Sequence, residues 1–309
     1  MDNNDNITNE ESKTKQTKQS TKDIYEKNLI RLNGGEPIKN YNFLKKTDVV
    51  LSKIDHLKDN SRRTYIISIV STLKGLKGFE KIYKFYYDIM MQMNQDLKTT
   101  NVKSQTQEDN WISQDEVKQI YESIKAKAEP LFSLKKIGSK QWDEILDYVV
   151  LSLYVLLPPR RNMDYLKMKY IKNIKNIQDK EDYKEYNYFI KDSHLFMFFN
   201  YKTSGTYQTQ EVQVPVDLYN ILMKYIKIHP DRKQSEFFLL VNNKGEPMTA
   251  SNCITRILNK IFKKKIGVSM LRSIYLTDKF GDREKEMQQT ATDMGTSSNM
   301  VSNNYVKFN

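Results

Sequence analysis

The sequence predicts a mainly α-helical protein with one small antiparallel β-sheet. Three observations lead there. Apolar residues recur at helical spacing through most of the chain from Asp23 onward. Three short runs rich in β-branched and aromatic residues, "YNYFIK", "LFMFFNYK" and "TQEVQVPV", follow one another between residues 186 and 216. A polar stretch without periodicity, "DLKTTNVKSQTQEDNW", separates a purely helical part from the part with the sheet. The expected organisation is a disordered tail over 1–22, a helical domain over 23–95, a linker over 96–112 and an α+β domain over 113–309.

Residues 1–22 hold only Met1 and Ile7 as clear apolar residues, too few to form a core. In "SRRTYIISIVSTLKGL", Ser61 is the expected cap, with Ile66, Ile69, Val70 and Leu73 on one face. "FEKIYKFYYDIMMQM" sets Phe79, Ile82, Tyr83, Tyr86, Ile89 and Met90 at helical spacing, an aromatic stripe that reads as core. After the polar stretch, Ser113 and Glu116 have the spacing of a capping box. "SKQWDEILDYVVLSLYVLLPP" is a strongly apolar helix that Pro158 and Pro159 stop. The three strand-forming runs come next, broken by "DSH" and by the turn "TSGTYQ". "LYNILMKYIKI" returns to helix, and "EFFLLV" is short and extended. In "ITRILNKIFKKKIG", Ile254, Ile257, Leu258, Ile261 and Phe262 share one face, with Arg256, Lys260 and Lys263–Lys265 largely off it.

Composition narrows the function classes. The chain has 309 residues, 39% hydrophobic and 28% charged, as expected of a soluble protein. No apolar run approaches the ~20 residues that cross a bilayer, so no membrane partner is expected. The N-terminal residues lack an apolar signal core, which points to an intracellular protein. The single cysteine, Cys253, fits a reducing compartment and reads as a structural thiol. Lys and Arg number 50 against 38 Asp and Glu, a net charge of +12. That suits a polyanionic partner such as nucleic acid, and equally a lysine-rich solvated surface. Residues 1–22 carry four acids and four lysines, so the excess lies in the folded parts. No Asp/Glu/His cluster has metal-ligand spacing, and neither a metal nor a cofactor is expected. His194 and His229 read as surface residues.

Four positions could carry chemistry. Arg160 and Arg161 in "LLPPRRNMDYLKM" follow a buried helix directly, where a turn holds side chains rigidly; a pair of helix-capping arginines is the plainer reading. Lys202 lies beside a glycine-containing turn at a strand end. Arg272 in "SMLRSIYLT" falls among apolar residues, where it needs a carboxylate or a ligand. Tyr305 stands in "MGTSSNMVSNNYVKFN", one tyrosine among 20.

The order and spacing of these pieces resemble the tyrosine recombinase (phage-type integrase) family. The family's "GLRxxEL" segment is loosely matched by "RNMDYL", with Arg161, Asp164 and Leu166; Arg161 rather than Arg160 is chosen because Asp164 then falls in register. Lys202 matches the lysine between the family's second and third strands. "SMLRS" matches the "HxLRH" box and gives Arg272 as second arginine. "MGTSS" matches "LGHSS" and places Tyr305 at the nucleophile. The family usually has His where this chain has Ser269, and His or Trp where it has Thr296. The form "PPRRN" looks closest to integrases of giant viruses, virophages and related mobile elements.

The resemblance implies a helical DNA-clamp domain joined to a catalytic domain, double-stranded DNA as substrate, and four protomers on two DNA sites. It implies that Arg161 and Arg272 bind the non-bridging oxygens of the scissile phosphate in place of a metal, beside a Tyr305 whose phenolate they favour. Lys202 would protonate the leaving 5′-oxygen. Ser269 and Thr296 would donate hydrogen bonds where the family uses proton-relaying side chains, giving a slower enzyme. The competing readings are a DNA-binding relative without activity, a type IB-like topoisomerase, and a helical scaffold with solubilising lysines.

Overall fold

The computed structural model describes residues 19–96, 102–178 and 181–307. The disordered reading of 1–18 and the linker reading of 97–101 lie outside them. The chain divides into two compact units, Met1–Val102 and Lys103–Asn309.

The first unit is all helical: α1 (Gln19–Leu32), α2 (Thr47–Ser52), α3 (Asp59–Leu73) and α4 (Glu80–Asp96). Residues 19–22, read as part of a disordered tail, form the first turn of α1. Helix α3 also begins earlier than the sequence suggests. Lys58 is its N-cap, and Ser61 lies inside the first turn with its N–H on the Lys58 carbonyl at 2.8 Å. Asp59 supplies the negative charge that the helix start favours. Ile66, Ile69, Val70 and Leu73 are buried as their spacing requires. Tyr86 of α4 is fully buried and donates its hydroxyl to the Leu44 carbonyl at 3.0 Å, so a polar tip deep in the core is satisfied.

The second unit opens with α5 (Gln105–Asn110) and α6 (Gln114–Ala128). Helix α5 lies where the sequence reads as linker. Its cause is local: Ser104 and Gln107 form a capping box. The box expected at Ser113 and Glu116 starts α6. Next come α7 (Ser139–Val155), α8 (Asn162–Leu166), β1 (Met168–Ile171), α9 (Lys175–Gln178), β2 (Asn187–Ile190), β3 (Leu195–Phe198), α10 (Ser204–Tyr207), β4 (Gln210–Gln213), α11 (Val216–Ile228) and β5 (Glu236–Phe238). Helices α12 (Cys253–Phe262), α13 (Val268–Asp293) and α14 (Ser298–Met300) follow, the last running into a π-helical turn over Val301–Tyr305.

The sheet has the order β4-β3-β2-β1-β5. It is mixed, which corrects the antiparallel expectation: β1 runs parallel to β2, and the other pairs are antiparallel. Strand β1, "MKYI", carries too weak a pattern to read from sequence. Its parallel pairing depends on the crossover through residues 172–186, a connection that antiparallel neighbours do not need.

Helix α7 is the centre of the core. Ile145, Tyr148, Val149, Val150, Leu151 and Leu153 are completely buried, so it is covered on every side. His229, read as a surface residue, is completely buried where α11 ends. It stacks on Phe237 at 4.3 Å and accepts the Asp231 N–H at 3.1 Å through Nδ1. Helix α13 buries Val268, Met270, Leu271 and Ile274 near its start, whereas Leu276 and Phe280 further along are exposed. It ends at Gly295 with φ +67°, the left-handed residue that lets Thr296 N–H return to the Ala291 carbonyl at 2.9 Å.

Candidate active site

Helix α7 stops at Val155, and Pro158 and Pro159 prevent it from resuming. The segment Leu157–Arg161 therefore turns out of the core and forms one wall of a cavity of about 330 Å³. Tyr201, Thr203 and Tyr207 line it from the connection between β3 and β4, Gln210 and Val212 from β4, Asp164 from α8 and Arg272 from α13. Arg161 and Arg272, far apart in the chain, thus meet around one space.

The two adjacent arginines are held very differently. Arg160 donates Nε to Asp164 Oδ2 at 2.9 Å and Nη2 to Gln210 Oε1 at 3.0 Å. Its guanidinium lies 3.7 Å from the centre of the Phe198 ring. The Asp164 side chain is only 3% exposed, and burial pushes its carboxyl above the usual range against the pull of both arginines. Asp164, whose place in the register singled out Arg161, takes Arg160 as its ion-pair partner. The pairing leaves Arg161 and Arg272 half-buried with no ion-pair partner among the described residues. Three arginines face one carboxylate in this cavity, so its field is positive and suits an anion. Both open guanidiniums are planar forks of the kind that take two phosphate oxygens at once.

Lys202 sits between two lining residues, Tyr201 and Thr203, on the exposed side of the same connection. The base of that loop is pinned. Tyr201 donates its hydroxyl to the Gln208 carbonyl at 2.6 Å, and Gln208 adopts φ 54°, a left-handed conformation uncommon outside glycine.

The other expected residues are not brought to this cavity. Ser269 is exposed one helical turn before Arg272, and Thr296 is half-buried in the turn that ends α13; neither lines it. Tyr305 is 60% exposed in the C-terminal π-helical turn and also lies outside the lining. The expected juxtaposition of its phenol with Arg161 and Arg272 is therefore absent from this conformation. None of the three histidines lines the cavity either.

Sequence reasoning missed Tyr201, Tyr207 and Gln210. A signal existed for the last: strand alternation puts Gln210 and Val212 on one face of β4. Nothing in the sequence distinguishes Tyr201, buried and bonded, from the exposed Tyr207. Among the described residues no group of three or more His, Cys, Asp or Glu is placed to hold a metal ion, and no helix is long and apolar enough to cross a membrane. Compared with known protein families, with curated proteins and with solved structures, the chain has no match.

Proposed function

We propose that the chain is a tyrosine-type DNA strand transferase that cuts and rejoins double-stranded DNA inside the cell. The supporting observation is the convergence of Arg161 and Arg272, neither ion-paired among the described residues, on one cavity of about 330 Å³ beside Lys202. In this reading the arginines hold the non-bridging oxygens of one phosphodiester and carry the charge that develops on them, the role a divalent ion plays elsewhere. The Tyr305 oxygen attacks phosphorus and its proton leaves to solvent. A P–O bond to the phenol forms as the bond to the 5′-oxygen breaks, and that oxygen takes a proton from Lys202. The 3′-phosphotyrosyl product keeps an ester that a second 5′-hydroxyl can attack, which completes strand exchange. Four protomers on paired sites follow from the same reading, as does a mobile-element role.

Because Tyr305 lies outside the cavity, the step requires the segment after Gly295 to move. The test is a nicked suicide duplex that traps the intermediate. Wild type is expected to form a protease-sensitive covalent adduct, Tyr305→Phe to form none, and Tyr207→Phe to form it normally. An adduct that survives Tyr305→Phe and vanishes in Tyr207→Phe overturns the assignment of the nucleophile. A second reading, a DNA-binding relative without activity, is favoured by the exposed Tyr305. It predicts salt-sensitive duplex binding and no adduct in any variant.

A further inference from the structure

A second basic cavity lies at the other end of α7. It encloses about 590 Å³ and is lined by Lys135 and Lys136 before α7, Lys227 at the end of α11, Arg232 just beyond it, and Lys244 in the turn after β5. No acidic residue is among its lining within the described residues. Its floor is rigid: Trp142 is 8% exposed and donates Nε1 to the Val241 carbonyl at 3.2 Å. The 17-residue α7 separates it from the arginine cavity by about 25 Å, so one phosphate group cannot bridge the two.

The unusual feature is that none of these five cations is in an ion pair among the described residues. Carboxylates are close in the chain, but amides occupy them. Asn243 donates to both oxygens of Asp143 at 3.1 and 3.2 Å, Gln234 to Asp231 at 2.9 Å, and Asn242 to Glu246 at 2.9 Å. Arg232 is further fixed by a bond from Nη1 to the His229 carbonyl at 3.2 Å. Helix α7 starts at Ser139, between the lining residues Ile137 and Trp142, so its positive end lies beside the cavity. A concave basin with this excess of cations over a fixed aromatic floor is suited to closely spaced negative charges rather than to one carboxylate.

We infer that this cavity is a second anion site that binds a run of adjacent phosphates, supplied either by a nucleic-acid backbone or by a soluble polyphosphate. The inference is independent of any chemistry at the arginine cavity. The probe is inorganic tripolyphosphate, titrated calorimetrically into the full chain at low salt. The variants are the charge reversal Lys135→Glu/Lys136→Glu/Lys244→Glu, at three exposed positions, and Arg161→Ala/Arg272→Ala, which silences the other cavity. Thermal melts of each variant confirm that the fold is kept, and Lys135→Gln/Lys136→Gln/Lys244→Gln gives a milder loss. The expected result is binding kept within twofold in Arg161→Ala/Arg272→Ala and weakened at least tenfold by the charge reversal. Equal affinity in wild type and charge reversal overturns the site, as does loss of all binding in Arg161→Ala/Arg272→Ala. A second arm assigns the source: a bead-anchored duplex is offered a second, labelled duplex. Capture abolished by charge reversal identifies nucleic acid as the ligand; capture kept, with tripolyphosphate binding abolished, identifies a soluble polyphosphate.

Discussion

Arg160 and Arg161 are neighbours in sequence with opposite duties. Arg160 pairs with a carboxylate that is almost fully buried, so its removal strands that charge. Arg160→Ala is expected to lower stability by about 3 kcal/mol, the usual cost of breaking a buried pair from one side. Arg161 has no such partner among the described residues. Arg161→Ala should shift stability by less than about 0.5 kcal/mol while slowing adduct formation ~10²–10³-fold. Urea unfolding and suicide-substrate rates, measured on both variants, check the pair; the reverse pattern would exchange the two roles. Sequence could not make this distinction. Asp164 lies three residues from one arginine and four from the other, and either spacing lets the side chains touch. What decided it was the Phe198 face and the Gln210 amide, which belong to strands well downstream and hold only Arg160.

At the scale of elements, His229 joins the end of α11 to β5 and to Trp142 of α7. Burial lowers its pKa from 6.5 to about 4. As pH falls, the unfolded chain binds the proton first. The stability from the neutral, buried imidazole is therefore complete above pH 6.5 and is lost progressively towards pH 4, by about 3 kcal/mol. Asp147 and Asp164, raised by burial, add an opposite slope above pH 3.8 that a His229→Phe variant retains. Subtracting the two stability profiles isolates His229, and parallel profiles would refute its role. A second element-level test concerns the Lys202 loop. Gln208→Gly removes a strained φ and should raise stability by about 1 kcal/mol, reversing glycine's ordinary cost, as read from thermal melts. The long apolar helix, the strands β2, β3 and β4 and the amphipathic α12 were legible because each repeats a local period. Strand β1 and buried His229 were not, because tertiary partners alone place them. Helix α5 was legible in principle, through a capping box that its polar composition concealed.

For the whole molecule, the excess of basic residues and the converging arginines should be separable from the chemistry of the tail. Duplex affinity is expected to fall steeply with salt. Arg161→Ala/Arg272→Ala should reduce the slope of log K against log salt by about 1, because the two arginines share a single phosphate. The C-terminal segment contributes differently. Ala291 is the last described residue in the buried core, and Met294, Met300, Tyr305 and Val306 beyond it are all exposed. A chain ending at Met294 therefore removes Tyr305 without opening the core. It should keep its stability within about 0.5 kcal/mol and keep the salt slope of the full chain, yet form no covalent adduct. Equilibrium binding at several salt concentrations, melting curves and the suicide duplex, run side by side, read all three properties. If the shortened chain loses duplex binding, the tail is part of the DNA surface and not a separate carrier of the nucleophile. If it still forms the adduct, the phenol that attacks phosphorus belongs to the cavity itself, where Tyr207 is the exposed one.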